Sequence, residues 1–132
     1  MSHYTGPDYE SITPHECRER LLRGELGHWQ LPDGPLEVSG EASVGRLLIA
    51  HGAGVAEGGV QTLAIEFAYL QQMRREGRRR PPPRVERLVE EMAAWCDLLT
   101  HPELPPLWLG GKSMGGRVAS LLAARGGAPG LV

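Results

Sequence analysis

The sequence lacks the features that mark several large classes of protein. Of its 132 residues only 5% are aromatic, two are cysteines, and the basic residues are almost all arginine. Cys17 and Cys96 are too far apart in sequence to suggest a small disulfide scaffold or a zinc site, and reduced thiols are the favoured interpretation. The formal net charge of -2 gives no general attraction to nucleic acid or to anionic membranes.

Long apolar runs are missing as well. No stretch approaches the roughly 20 residues that span a bilayer. The N-terminal residues MSHYTGPDYE have neither the basic region nor the apolar core of a signal peptide. We therefore expect a cytoplasmic protein with no membrane partner and no nucleic-acid partner.

Turn signals and apolar runs divide the chain into alternating strands and helices. Residues 1–28 are interpreted as a tail with a short helix at 14–23, and residues 29–132 as an α/β domain. The domain pattern predicts two short strands between 29 and 43, buried strands at 46–50, 60–67 and 107–109, and helices at 84–100 and 117–124. This alternation predicts an α/β fold with a mainly parallel sheet of roughly four strands and flanking helices.

A basic, proline-rich stretch, MRREGRRRPPPR, occupies residues 73–84. A solvated surface loop is the favoured interpretation, because runs of charge are usually exposed. The alternative is an anion-binding patch for a substrate carboxylate or phosphate. Nucleic-acid binding is less favoured, since no interleaved aromatic residues accompany the arginines.

Residues 111–115, Gly-Lys-Ser-Met-Gly, match the G-x-S-x-G pattern of a nucleophile elbow. Glycines such as Gly111 and Gly115 are needed because the strained strand-to-helix turn brings backbone segments into contact. Ser113 is the candidate nucleophile, and the N–H of Met114 is one candidate oxyanion donor. The second donor would be Ala53 or Gly54, in the glycine-rich loop after the strand at 46–50.

The same residues also match the end of a phosphate-binding loop, G-x-x-x-x-G-K-[ST]. That pattern requires glycine at position 106, where this chain has Pro106. Proline supplies no N–H for a phosphate, so nucleotide binding is disfavoured. We expect no cofactor and no metal.

Four segments together resemble a known family. They are HGAG at 51–54, EFAY at 66–69, the Arg/Pro run and GGKSMGGR at 110–117. They are similar to small bacterial α/β-hydrolases, the dienelactone-hydrolase-like proteins that share their domain with testis-expressed protein 30 and a subunit of a histone-acetylation complex. The resemblance runs from about residue 36 to residue 132.

The resemblance implies a partial α/β-hydrolase fold and a serine hydrolase that acts on ester or related acyl bonds of a small molecule. It also implies that Arg78, Arg79 and Arg80 lie near the mouth of the site, as candidate anion contacts. His51 would help to shape the oxyanion loop.

Two features depart from the family pattern. The acid and the histidine of the family follow the serine, but the 19 residues after Ser113 contain no Asp, Glu or His. Residues 52–59 are also too few for the family's helix, since a parallel crossover normally takes at least about 10–12 residues.

We therefore expect an incomplete hydrolase domain, internally deleted and ending after the elbow helix, with little activity. Its uncovered sheet edge would favour self-association. The alternative function is that of a non-catalytic hydrolase-like binding module or an inactive fragment.

Overall fold

The computed structural model describes residues 8–50, 59–111, 114–126 and 130–131. Within them, one sheet has seven strands and four helices accompany it. The strands are β1 (Glu10–Ser11), β2 (Gly27–Leu31), β3 (Gly34–Ser39), β4 (Gly45–Ala50), β5 (Val60–Ile65), β6 (Leu107–Gly111) and β7 (Gly130–Leu131). The helices are α1 (Pro14–Leu22), α2 (Ala68–Glu76), α3 (Val85–Leu99) and α4 (Met114–Ala124). None of these helices has the length and apolar character needed to cross a bilayer.

The sheet has the order β1-β2-β3-β5-β4-β6-β7. Strands β5, β4, β6 and β7 are parallel, which confirms the predicted α/β fold. The hairpin of β2 and β3 joins the same sheet by antiparallel pairing of β3 with β5. The sheet therefore exceeds the roughly four strands expected from the alternation. The hairpin extends it, and the two-residue strands β1 and β7 are too short to leave an apolar pattern.

The hydrophobic core lies on one face of the sheet. Alternate residues of the central strands, including Leu48, Leu63 and Leu109, are fully buried there. Helix α3 covers them with an apolar stripe whose buried members are Leu88, Val89, Met92, Trp95, Cys96, Leu98 and Leu99. This stripe confirms the predicted helix and places Cys96 in the core.

Helix α2 was not predicted from the sequence. It covers Ala68–Glu76, so residues 73–76 are helical and the prediction of a loop over all of 73–84 was wrong. Gly77 ends the helix in the left-handed conformation, with φ 65°. The apolar residues of α2 are few and none is fully buried, which explains why its periodicity was obscured by charge. Residues 77–84 contain no helix or strand.

The connection between β4 and β5 is short, and residues 51–58 of it lie outside the described residues. Gly45 pairs with Val60 and Ala50 pairs with Ile65, so the chain must return along the whole of β4. That return is about 17–20 Å, whereas nine residues can extend to about 30 Å. The parallel pairing is therefore compatible with a connection shorter than an ordinary crossover.

Both thiols should be unreactive in the native protein. Burial raises the pKa of Cys17 to about 11 and that of Cys96 to about 12, so near pH 8 roughly a thousandth or less of either is thiolate. We expect negligible reaction with DTNB in native buffer and reaction of both thiols in guanidinium chloride. Rapid native labelling would contradict this burial.

The same pKa shifts predict how stability depends on pH. The folded-state pKa values exceed the unfolded value of about 8.5, so the thiols' contribution to stability is complete below about pH 8.5. It is lost as pH rises toward the folded-state values. The free energy of unfolding should fall less steeply over this range in a Cys17→Ala, Cys96→Ala variant, measured by urea titration. An unchanged slope would contradict the assignment.

Candidate active site

The carboxyl ends of β4 and β6 lie side by side, where the Cα atoms of Ala50 and Gly111 pair. From β4 the chain passes to β5 on one side of it and later to β6 on the other side. The order of strands therefore reverses at β4. In open α/β sheets, ligands bind in the crevice outside the carboxyl ends of strands at such a point.

Three backbone segments approach closely at this edge. A Cβ atom on Gly115 would lie 2.5 Å from the carbonyl oxygen of Ala50. One on Gly111 would lie 2.6 Å from the carbonyl carbon of Gly115, and one on Gly116 would lie 2.8 Å from the carbonyl oxygen of Gly111. Any larger residue at these positions would have to displace backbone. The glycines thus permit direct contact between the end of β6, the first turn of α4 and the end of β4.

Several of the residues predicted for the site lie outside the described residues. These are the candidate nucleophile Ser113 with Lys112, and the loop residues His51, Ala53 and Gly54. Met114 is described and is the first residue of α4. Two residues of sequence separate it from Gly111.

The histidines that the structure describes lie away from this edge. His101 precedes β6 and so lies toward its amino end, about 13 Å or more from Gly111. His28 is on β2, four strands from β6, or about 19 Å. His15 lies in the first turn of α1, four residues after β1, which is five strands from β6 in the sheet. Its Nε2 lies 2.9 Å from Oε1 of Glu19. None of the three is positioned to activate a group beside Gly111.

A cleft of about 380 Å³ opens beyond the end of β5 on the same edge. Its lining includes Glu66, the residue after β5, together with Leu70, Met73, Arg74, Gly77, Arg78 and Arg79. Arg80 is instead paired with Glu76, with Nε to Oε1 at 3.0 Å and Nη2 to Oε2 at 3.1 Å. Of the three candidate anion contacts, the structure therefore brings two together at a cleft.

No cluster of three or more His, Cys, Asp or Glu side chains that could hold a metal ion occurs in the described part of the chain.

A family model described as alpha/beta hydrolase domain matches residues 54–132 of the chain. The protein belongs to this α/β-hydrolase family. The match contains β5, β6 and α4, and with them the G-x-S-x-G residues. The predicted membership of the α/β-hydrolases is thereby confirmed, while the closer likeness to dienelactone-hydrolase-like proteins stays a prediction. No curated protein and no solved structure matches the chain.

Alanine at position 115 should destabilise this α/β-hydrolase domain by about 1–3 kcal/mol, because the added Cβ must displace the Ala50 carbonyl. Inside an ordinary helix, Gly→Ala would instead stabilise by about 1 kcal/mol. The matched control is Gly45→Ala, since a Cβ on Gly45 makes only ordinary contacts, the nearest at 3.6 Å. Urea denaturation should show loss of stability for Gly115→Ala and little or no loss for Gly45→Ala. A stabilised Gly115→Ala variant would disprove the close approach.

Proposed function

We propose that this protein is a hydrolase of ester or related acyl bonds, with Ser113 as its nucleophile. The observation that carries the proposal is the glycine-lined contact between the end of β6 and the first turn of α4, at the reversal of strand order. In α/β-hydrolases the strand-to-helix turn at the top of the sheet carries the nucleophilic serine. Ser113 directly precedes Met114, the first residue of α4.

The start of α4 supports stabilisation of an oxyanion. The first N–H groups of a helix have no partner within it and carry partial positive charge. We assign the N–H of Met114 as one oxyanion donor and that of Ala53 or Gly54 as the other. Removing one such donor typically costs about 2.7–4 kcal/mol of transition-state stabilisation.

Activation of Ser113 by a general base is the step that the described residues support least. Ser113 needs a base to become strongly nucleophilic at neutral pH. The described histidines are remote from Gly111, and we assign His51, which follows Ala50, to the oxyanion loop. The 132-residue chain should therefore hydrolyse p-nitrophenyl acetate barely faster than buffer.

A second candidate function is binding of an acyl ligand without turnover. It is favoured by the lack of a histidine near Gly111 among the residues that the structure describes. Loss of a triad member lowers the rate by several orders of magnitude. The two candidates differ in whether Ser113 can be acylated or phosphonylated when a base is supplied.

We also infer a small-molecule substrate, a cytoplasmic location and self-association through the β7 edge of the sheet. The free thiols Cys17 and Cys96 support the location. Strand β7 pairs with β6 and is an edge strand of the sheet within the described residues, and an exposed edge favours association between copies.

Imidazole added to the buffer should act as a general base for Ser113. We expect slow modification of Ser113 by a fluorophosphonate in phosphate buffer and severalfold faster modification in imidazole. Intact-mass spectrometry with peptide mapping would measure both rates. The general reactivity of imidazole is controlled for by Ser113→Ala, which should lose all modification at this peptide.

The outcomes separate the two candidates. Imidazole-dependent modification confined to Ser113 supports the hydrolase. Absence of modification with imidazole present would reject Ser113 as the nucleophile and favour the binding module. Strong modification without imidazole that is lost in His51→Ala would show that His51 is the base.

A further inference from the structure

The residues after β5 form a cationic cleft that the chemistry proposed for Ser113 does not use. Leu70 and Met73 supply apolar lining, and Arg74, Arg78 and Arg79 supply positive charge. Its volume of about 380 Å³ lies within the range of small-molecule sites, about 300–1,000 Å³, and the cleft is shallow and widely open to solvent. An apolar lining with a few convergent charged groups is typical of such sites.

The ion pairs of residues 66–80 show which arginine charges near the cleft are neutralised by a carboxylate. Arg74 donates to Oε2 of Glu66, and Arg80 donates to both carboxylate oxygens of Glu76. Within the described part of the chain, neither Arg78 nor Arg79 forms an ion pair. The cleft therefore presents two guanidinium groups whose charge no described carboxylate neutralises.

The backbone on both sides of these arginines is constrained. Gly77 ends α2 with φ 65°, which turns the chain away from the helix axis. Pro81, Pro82 and Pro83 follow Arg80, and proline fixes φ near -65°. A segment held in this way loses less conformational entropy when its side chains bind a ligand.

Glu66 connects this cleft to the proposed active site. It follows Ile65, which pairs with Ala50, which in turn pairs with Gly111. Two strand spacings, or about 10 Å, therefore separate the ends of β5 and β6. One part of a small ligand could lie between the arginines while another part reaches the edge beside Gly111.

We propose that this cleft binds a carboxylate or phosphate group of a ligand through Arg78 and Arg79. The planar guanidinium donates two parallel hydrogen bonds to either anion, which gives orientation as well as affinity. For the hydrolase, this binding would select acyl substrates that carry a second, anionic group. That selection rests on the proposed function, whereas anion binding does not.

Calorimetric titration with inorganic phosphate and, separately, with succinate at constant low ionic strength tests the binding. Arg78→Gln with Arg79→Gln should weaken binding by about tenfold or more. Arg80→Gln is the matched control and should change it by less than about twofold, because Arg80 is paired with Glu76 and lies outside the cleft lining. Glu66→Gln should strengthen binding, because it removes the carboxylate that neutralises Arg74.

Binding of phosphate alone supports a phosphate-bearing ligand, and binding of succinate alone supports a carboxylate. Absence of binding for both anions overturns the proposal. Equal affinities of the wild-type protein and the double variant also overturn it, as does a loss in Arg80→Gln as large as in the double variant. Weaker binding in Glu66→Gln would also count against the proposal, because loss of a carboxylate from the cleft lining should favour an anion there.

A pair of esters separates this inference from the proposed function. With imidazole present, the rate on p-nitrophenyl hemisuccinate relative to p-nitrophenyl acetate should fall in the double variant and not in Arg80→Gln. If anions bind but neither ester is cleaved through Ser113, the proposed hydrolase function is rejected and anion binding at the cleft is still supported. If both esters are cleaved through Ser113 and the ratio of their rates is the same in every variant, selection of anionic substrates is rejected and the hydrolase function is supported.

Discussion

The contact of Gly115 with the carbonyl of Ala50 is the constraint on which the carboxyl edge of the sheet depends. It brings the first turn of α4 directly onto β4, with no side chain between the two backbones. Glycine is a poor helix former, at a cost of about 1 kcal/mol relative to alanine, so this turn is weak by itself. Further along α4, Val118, Ala119 and Leu122 are buried in the core and hold the helix in place. The start of α4 is thus fixed by packing rather than by intrinsic helix propensity.

The amino end of β6 is fixed by a different interaction. Arg46, at the start of β4, is 1% exposed, and its Nε donates to the carbonyl oxygen of Pro105 at 3.0 Å. The backbone N–H of Arg46 donates to the carbonyl oxygen of Pro106. Burial lowers the pKa of Arg46, so the protein accepts a desolvation cost to hold the segment that enters β6. Strand β6 is therefore held against β4 at both ends, which supports a defined register at the edge beside Gly111.

Strong patterns in the sequence predicted much of the fold. The apolar stripe of α3 and the runs of β4 and β6 follow directly from hydrophobic periodicity. The need for glycine at 111 and 115 follows from the sterics of a tight strand-to-helix turn. Helix α2 could not be predicted from hydrophobic periodicity, because none of its residues is fully buried. Without α2, the pairing of Glu76 with Arg80 could not be predicted either. The three consecutive arginines therefore looked equivalent in the sequence, although only two of them line the cleft.

The edge at β4 favours negative charge although the protein as a whole does not. The formal net charge is -2, so long-range attraction cannot draw an anion to the molecule. At physiological ionic strength, charges act over about 8 Å, so the local arrangement decides. The N-terminus of α4 carries partial positive charge at one side of the edge, and Arg78 and Arg79 carry full charges near the end of β5. Glu66 neutralises Arg74, so the positive charge that stays unpaired in the cleft lining belongs to Arg78 and Arg79. A ligand with one anionic group and one acyl group that becomes an oxyanion in the reaction would complement these arginines and the N-terminus of α4.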